Sequence, residues 1–247
     1  MLTVIIITKN EETHIGQCLE SVKWADEIIV LDSGSMDKTV SICKAFTSHV
    51  FETDWQGFGI QKQRALIKAT GDWVLAIDAD EIVTSDLRTE IEVAMLSSKY
   101  GGYRIPFLSN YCGKQIKHAG WYPNYHLRLF RRFESEFTTD VVHENVKVKG
   151  EIGFLKSPVL HDSYADLNEV LIKVNSYSSL NAQKLFERGE KSSLSKAIFR
   201  ALWKFFQTYF VKTAFLDGQH GLMLAISSAE GVYYKYLKLL ELQNKCR

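Results

Sequence analysis

The sequence predicts an α/β fold, in which a doubly wound, mainly parallel sheet carries a β extension and is followed by a helical C-terminal region. Three observations predict it. Short apolar runs alternate with helically spaced apolar residues over the first hundred positions. Between residues 101 and 161, short apolar runs are separated by glycine, proline, asparagine and charged residues, as in antiparallel or mixed strands. From Asp166 onward, apolar residues recur at helical spacing.

The first hundred residues alternate strand and helix at a rhythm that favours parallel pairing with helices on both faces of the sheet. Asp37 is placed to cap the second helix, and Gly71 is expected to end the third. In such sheets, ligands bind at the carboxyl ends of the strands. The predicted order is a strand at 3–7, a helix around 15–22, a strand at 27–31, a helix around 40–46, a strand at 49–52, a helix at 56–69, a strand at 73–77 and a helix around 87–95.

The composition is that of an ordinary globular protein, with 46% apolar and 24% charged residues among 247. A formal net charge of +1 gives no reason to expect a nucleic-acid partner. The four cysteines are widely spaced, which favours buried thiols over a disulfide framework. Because neither a secretory leader nor an uninterrupted apolar stretch of about 18 residues is evident, we expect a cytoplasmic protein.

Three carboxylates follow the predicted strand at 73–77, namely Asp78, Asp80 and Glu81. Successive strand residues point to opposite faces, so Asp78 and Asp80 are predicted to share one face. Two oxygen ligands on one side suit Mg²⁺ or Mn²⁺, whose other positions would go to water and a diphosphate. The alternative is an acidic loop before the next helix, with Thr84 or Ser85 as the N-cap.

Polar clusters also end the first two predicted strands, at residues 8–11 and 32–37. A carboxylate there can accept a hydrogen bond from a base imide, and small residues let the backbone approach a ribose closely. The alternatives are helix capping for Asp37 and an Asx-turn for Asp32. The chain has neither a Gly-x-Gly-x-x-Gly nor a Walker pattern, so neither a dinucleotide nor a P-loop site is supported.

Taken in order, these motifs resemble the family 2 glycosyltransferases, which have the Rossmann-like GT-A fold and generally invert at the anomeric carbon. They are Thr8-x-Asn10-Glu11, Asp32-Ser-Gly-Ser-x-Asp37 and Asp78-Ala-Asp80-Glu81. Later segments are similar to the bacterial lipopolysaccharide-core β-1,4-glucosyltransferase branch, which moves glucose from UDP-glucose to an inner-core heptose. Those segments are Arg128-Leu-Phe-Arg131-Arg132, Val142-His143-Glu144, His161-Asp-Ser-Tyr164 and Phe215-Leu-Asp-Gly218.

The resemblance implies a role for each site residue. A divalent ion, Mn²⁺ or Mg²⁺, would be held by Asp80, with Asp78 and His161 as further ligands. Many relatives use an Asp as the base, often in a Glu-Asp pair, and this chain has no such pair. Glu144 is therefore the candidate base, with Glu136 and Asp140 as alternatives. Arg128, Arg131 and Arg132 would bind phosphate or form a solvated basic edge, and the alternative for His161 is a structural role. The residues expected to bind the UDP-sugar are Thr8, Asn10, Glu11, Asp32, Ser33, Lys62, Arg64, Asp78, Arg128 and Arg131.

We therefore predict an inverting hexosyltransferase for a lipopolysaccharide-core or similar glycolipid or oligosaccharide acceptor. The alternatives are a transferase for another glycan or a protein, and a non-catalytic nucleotide-sugar-binding relative. Residues 1–165 are predicted to form the catalytic domain, with 1–100 for the donor and 101–165 for the acceptor, and 166–247 a helical extension. Trp121 and Tyr122 form either an acceptor platform or ordinary packing.

The C-terminal helices are rich in both aromatic and basic residues, from residue 197 to 216 and again from 221 to 240. Cationic, aromatic and amphipathic helices can lie in a bilayer interface. Two interpretations stay open for them. Either they contact the cytoplasmic face of the inner membrane, or they pack on the catalytic domain or form a homodimer interface.

Overall fold

A computed structural model of the chain describes residues 1–138 and 146–245. The described residues fall into two compact units. Unit 1 comprises Met1–Phe107 and Asn124–His161, and unit 2 comprises Leu108–Pro123 and Asp162–Arg247. The predicted boundary at residue 165 does not coincide with this division, because residues 108–123 group with the C-terminal helices and not with the β extension.

The strands and helices follow the predicted alternation, which confirms the α/β fold class. The strands are β1 Leu2–Thr8, β2 Glu27–Asp32, β3 Val50–Glu52, β4 Trp73–Asp78, β5 Glu81–Val83, β6 Tyr100–Tyr111, β7 Lys114–Gln115, β8 Asn124–Arg131, β9 Ser135–Phe137, β10 Val146–Val148, β11 Glu151–Phe154 and β12 Val159–Tyr164. The helices are α1 Ile15–Val22, α2 Thr39–Phe46, α3 Phe58–Lys68, α4 Ser85–Ala94, α5 Leu167–Glu187, α6 Leu194–Phe206 and α7 Gly218–Lys245.

The main sheet has the strand order β3-β2-β1-β4-β8-β6-β12-β5, and β7 and β11 pair with β6. The first four strands in this order are parallel, and β8 joins β4 in the antiparallel direction. A separate two-stranded sheet pairs β9 with β10. A parallel half therefore continues into a mixed half, as the change of sequence texture after residue 100 predicts.

Strand β1 is buried at every position, because helices cover both faces of the sheet. Val4 and Ile6 belong to one apolar core, which also takes in residues of α1, α2 and α4. Ile5 and Ile7 point the other way, into a core that includes residues of α3. The alternation of β1 side chains between two cores is the physical basis of the doubly wound architecture.

The prediction that Gly71 ends the third helix was wrong, and Asp37 caps the second helix from the position before its N-cap. Helix α3 ends at Lys68, and Gly71 lies beyond it, packed against the start of β1. A Cβ at Gly71 would come within 2.8 Å of the Met1 carbonyl oxygen, so the position needs glycine for close packing and not as a helix cap. The N-cap of α2 is Lys38, although the Asp37 carboxylate does accept from the Thr39 amide at 3.0 Å.

Unit 2 is built on α5, α6 and α7, joined by a π-helical turn at Gln207–Val211 and a 3-10 turn at Ala214–Asp217. Asp217 is buried and ties residues 114–118 to this turn. Its carboxylate accepts from the His118 amide at 2.9 Å, and its carbonyl accepts from Lys114. Among the described residues, no helix is both long and apolar enough to cross a bilayer.

Candidate functional site: the carboxyl edge of the parallel strands

The carboxyl ends of β2, β1 and β4 lie side by side at one edge of unit 1. Thr8 at the end of β1 pairs with Asp32 at the end of β2, and Ile7 pairs with Asp78 at the end of β4. Since neighbouring strands are about 4.8 Å apart, Asp32 and Asp78 are separated by about 10 Å across β1. The structure thus brings together at one edge two acidic segments that are far apart in the sequence.

Asp32 shapes the loop that follows β2. Its side chain is buried, and its Oδ1 accepts from the Gly34 amide at 2.9 Å and the Ser35 amide at 2.8 Å. Its Oδ2 accepts from the Ser35 hydroxyl. These bonds form the Asx-turn that was the alternative interpretation of Asp32. Asp32 therefore holds the backbone of the 33–35 loop in place at the edge.

The loop after β1 is tied to the loop after β2. The Asn10 amide donates to Ser35 Oγ at 2.8 Å, and Asn10 Oδ1 accepts from the Met36 amide at 2.8 Å. Asn10 has a φ of 55°, a left-handed conformation that asparagine adopts more readily than most residues. The Glu11 amide donates to Thr39 Oγ1 at 2.8 Å. The two predicted motifs thus form one hydrogen-bonded surface.

Thr8 and Ser33 form the buried part of the same edge. Both residues are buried, and the Ser33 amide donates to the Thr8 carbonyl at 2.9 Å. Ser33 Oγ accepts from the Gln61 amide group of α3 at 2.8 Å. Thr8 Oγ1 is buried and has no hydrogen-bond partner among the described residues. A buried hydroxyl in that state costs stability unless a ligand or water satisfies it.

A network of buried charges surrounds Asp78. Lys62 Nζ lies 2.9 Å from Asp78 Oδ1, and Arg128 donates to Asp78 Oδ2 at 2.8 Å and to Glu81 Oε1 at 2.7 Å. The Asp78 amide donates to Glu81 Oε2 at 2.9 Å, which fixes the turn between β4 and β5. Two predicted donor-binding residues, Lys62 and Arg128, therefore hold the acidic motif together.

Asp80, Glu81 and His161 form a group in which one ligand atom from each lies within 4.8 Å of the others. His161 Nε2 is 3.1 Å from Asp80 Oδ2, and His161 is paired with Glu81 across β12 and β5. Carboxylate oxygen and imidazole nitrogen are donors that Mn²⁺ accepts. The chain turns after Asp78, so Asp80 is not the next-but-one residue of one straight strand. Glu81 replaces Asp78 in the group predicted from sequence.

The pKa values of this group reflect burial and charge together. Burial opposes ionisation of Asp78, but the Arg128 guanidinium and the Lys62 ammonium hold its pKa well below the usual range. Burial raises the pKa of Glu81 to about 7, assisted by the negative charge of Asp78 and opposed by Arg128. Burial alone would lower the pKa of His161, but its hydrogen bond to Asp80 and that carboxylate's charge raise it. A cation bound here would favour the ionised carboxylates.

A polar cavity of about 180 Å³ opens beside this network in unit 1. Basic side chains dominate its lining, with Lys62, Arg104, His126 and Arg128 around it. Burial and the nearby Arg128 lower the pKa of His126 to about 4, so its imidazole is neutral at pH 7. Lys62 and Arg128 pair with carboxylates of the acidic motif, and no ion pair of Arg104 is seen among residues 1–138 and 146–245.

Two predicted arginines lie away from this edge. Arg131 pairs with Trp73 at the opposite end of β4 from Asp78 and donates to the Ser97 carbonyl. Arg132 binds the carbonyls of Gly71 and Thr70. Arg64 lies next to the edge, where it contacts the Asp54 carboxylate at 2.9 Å and donates to Gln61 Oε1 at 3.0 Å.

The predicted base lies outside the described residues. Glu144, His143 and the alternative Asp140 all fall in the stretch from 139 to 145. Glu136 is described, and it is an exposed residue of β9 whose carboxylate is 3.8 Å from Lys147 Nζ. The assignment of Glu144 therefore stays a prediction.

Trp121 belongs to unit 2 and stacks on Tyr164 at 5.8 Å between ring centroids. Both rings line a cavity of about 230 Å³ between α5 and α7, together with Tyr111. Tyr111 packs edge-on against Trp121, and its hydroxyl is 3.0 Å from Ser227 Oγ. Trp121 therefore packs against Tyr111 and Tyr164, and another part of its ring lines the cavity.

Sequence reasoning noted Glu81 but assigned it no ligand role, and it missed Arg104 altogether. Arg104 is not part of any motif in the sequence. The pairing of β6 with β8 places it opposite Leu127 and beside His126. Glu81 could have been found from the sequence, because it is a carboxylate that directly follows Asp80.

An α/β sheet with acidic loops at its carboxyl edge is a common platform for nucleotide-dependent enzymes. The model of the family described as Glycosyl transferase family 2 matches residues 3–139, which include the carboxyl ends of β1, β2 and β4. The chain belongs to this glycosyltransferase family, and its fold is the GT-A type.

Relatives with full-length matches bear glycosyltransferase names. An uncharacterized glycosyltransferase of Rickettsia typhi is 32% identical over 259 residues, covering 100% of this chain and 89% of the relative. The lipopolysaccharide core biosynthesis glycosyltransferase LpsC of Rhizobium meliloti is 29% identical over 253 residues, covering 95% of this chain and 93% of LpsC. A crystal structure of glucosyl-3-phosphoglycerate synthase from Mycobacterium tuberculosis, with Mg²⁺ and UDP, is 28% identical over 44% of each chain, with a TM-score of 0.38.

Proposed function

We propose that this glycosyltransferase is metal-dependent and inverting, and that it moves a hexose from a UDP-sugar to an acceptor hydroxyl. Glucose from UDP-glucose is the first donor to test, and a lipopolysaccharide-core or similar glycolipid is the first acceptor. The name of the full-length relative LpsC supports this choice of acceptor. The observation that carries the proposal is the group of Asp80, Glu81 and His161 beside the carboxyl edge of the parallel strands.

The side chains present fit a divalent ion. Three donors of suitable chemistry converge within 4.8 Å, and the buried Glu81 carboxylate is more stable with a neighbouring cation than without one. Asp80, Glu81 and His161 would hold the ion. A divalent cation there supplies positive charge to a departing diphosphate.

The remaining edge residues are proposed to position the donor. The 33–35 loop, held by Asp32, offers backbone groups to the nucleoside, and the unpartnered Thr8 hydroxyl can be satisfied by it. Arg104 at the basic cavity is proposed to attract an anionic part of a substrate. We retain residues 1–100 as the donor-binding part and Glu144 as the base that accepts the proton of the attacking hydroxyl.

The test is release of UDP from a panel of nucleotide sugars with Mn²⁺ and with candidate acceptors. Asp80→Asn is expected to abolish metal-dependent UDP release, because the cation loses one of its carboxylates. Asp72→Asn is the matched control, since Asp72 is an exposed carboxylate just before the opposite end of β4. Unchanged turnover in Asp80→Asn would exclude the metal role. Donor binding without UDP release or acceptor modification would indicate a non-catalytic relative, and release with only a different acceptor would redirect the acceptor assignment.

Glu144→Gln tests the base separately. The amide keeps the size of the side chain but cannot accept the hydroxyl proton, so transfer is expected to fall about 100-fold or more with donor affinity retained. The measurements are single-turnover transfer and donor titration. Wild-type transfer in this variant would move the base to another carboxylate.

A further inference from the structure

Helix α6 and the turns after it expose an unusually apolar surface on unit 2. Ala197 is the one buried residue of α6, and it packs in a cluster with Tyr236 and Leu239 of α7. The other side of the helix is open to solvent. We define the α6 face as the exposed, bulky apolar side chains from residue 198 of α6 to the end of the two turns that follow it. They are Ile198, Phe199, Leu202, Trp203, Phe206, Phe210, Val211, Phe215 and Leu216.

The spacing of these residues makes the α6 face continuous. Phe199, Leu202, Phe206 and Phe210 recur three or four positions apart, so they follow one side of the helix. Phe199 is 68% exposed and Phe206 is 46% exposed. An apolar patch of this kind on a water-exposed helix marks a surface that is covered by a partner or a membrane.

Basic residues predominate along the α6 face, and one of them, Lys196, lies 3.8 Å from the Glu190 carboxylate. Between Glu190 and Asp217 the chain has five cations and no acidic residue, the cations being Lys191, Lys196, Arg200, Lys204 and Lys212. Lys196, Arg200 and Lys204 are four positions apart and therefore form a row along one border of the face. Burial lowers the pKa of Lys204, and the nearby charges of Lys212 and Lys235 lower it further, so these cations lie close to one another.

We propose that the α6 face binds the surface of an anionic lipid bilayer, with its aromatic and aliphatic side chains in the headgroup–acyl boundary and its cations at lipid phosphates. The chemistry fits on both counts, since an interfacial helix combines bulky apolar residues with a lysine- and arginine-rich border. Two copies of this chain are a poorer fit, because a twofold contact would bring unbalanced cations together.

The test is sedimentation with vesicles, using the full chain. Vesicles of phosphatidylcholine with about a third phosphatidylglycerol are compared with pure phosphatidylcholine. We expect the protein to sediment with the anionic vesicles, more weakly with neutral ones, and less as ionic strength rises. Each basic residue at an anionic surface contributes roughly fivefold to partitioning, so Arg200→Gln with Lys212→Gln is expected to weaken binding at least about tenfold.

The apolar contribution is tested by Phe199→Ser with Phe206→Ser, which is expected to weaken partitioning at least about tenfold. The matched controls are Ile67→Ser with Val93→Ser, and Lys44→Gln with Lys68→Gln, all exposed positions of unit 1. Equal binding by the α6-face variants and the controls would overturn the proposal, as would no binding by wild type.

A second copy of the chain is distinguished by light scattering after size exclusion. A wild-type dimer that becomes monomeric in Phe199→Ser with Phe206→Ser, with no vesicle binding, would overturn the lipid assignment. A monomer that sediments with anionic vesicles supports it. Vesicle binding is measured without donor or acceptor, so its outcome does not depend on the proposed transferase activity.

Discussion

Replacing Lys62 by methionine tests whether the charges around Asp78 are mutually dependent. The Lys62 side chain is 3% exposed, and its ammonium lies 2.9 Å from Asp78 Oδ1. Methionine keeps the length and the aliphatic contacts of the stem but removes the cation. The Asp78 carboxylate then keeps Arg128 as a partner at 2.8 Å and loses the other.

The expected cost is about 2 kcal/mol of unfolding free energy. Removing one partner of a fully buried ion pair costs about 3–5 kcal/mol, because a buried charge is left uncompensated. Two features reduce that figure here. Asp78 keeps 31% of its side-chain surface in water, and Arg128 still pairs with it. For a chain of this length, a loss of about 2 kcal/mol lowers Tm by roughly 4–8 °C.

The assay is urea unfolding without added metal or nucleotide. Lys68→Met is the matched control, since Lys68 is on the same helix but exposed, and its effect is expected to stay within about 0.5 kcal/mol. Adding Asp78→Asn to Lys62→Met should recover part of the loss, giving a coupling energy of at least about 1 kcal/mol. A Lys62→Met variant as stable as Lys68→Met would refute the reasoning.

Three further predictions follow from the same contacts. Gly71→Ala is expected to destabilise the fold by about 1–3 kcal/mol in urea unfolding. The added Cβ would clash with backbone atoms of Met1 and Thr3, which can move away only by distorting the start of β1. Mn²⁺ at 100 times Kd is expected to stabilise wild type by about 2.7 kcal/mol, measured as a rise in Tm, and Asp80→Asn should lose this rise whereas Asp72→Asn should keep it. Because the pKa of Glu81 is raised to about 7 in the folded protein, its contribution to the free energy of unfolding is fully present below the ordinary pKa of a glutamate. That contribution is lost as the pH rises through about 7. Wild type should therefore lose more stability between about pH 5 and about pH 8 than Glu81→Gln, and equal pH profiles would contradict this.

The fold class could be predicted because each strand of the parallel half is short, apolar and bounded by helical spacing. Strand β1 illustrates why, since burial on both faces requires a continuous apolar run and not an alternating one. The grouping of residues 108–123 with the C-terminal helices could not be predicted. It depends on the buried Asp217 and its bonds to residues about 100 positions earlier, which leave no local pattern.

The site was predictable where it depends on strand ends and unpredictable where it depends on pairing partners. Thr8, Asp32 and Asp78 meet because parallel strands in register share an edge. Arg128 and Arg131 are three residues apart on one strand, and only the antiparallel register of β8 on β4 separates their roles. That register sets Arg131 opposite Trp73 and carries Arg128 toward the acidic end of β4.

The contacts of Asp78 and Glu81 explain why these two carboxylates of one motif have pKa values shifted in opposite directions. Asp78 has two cations at hydrogen-bond distance, whereas Glu81 is almost fully buried and shares Arg128 with Asp78. Their positions differ because the chain turns between β4 and β5, which sends Glu81 inward to pair with His161 of β12. Glu81 therefore lies beside the two other candidate metal ligands, Asp80 and His161. A cation held by these three residues would offset the cost of burying the Glu81 carboxylate, in agreement with the proposed metal site.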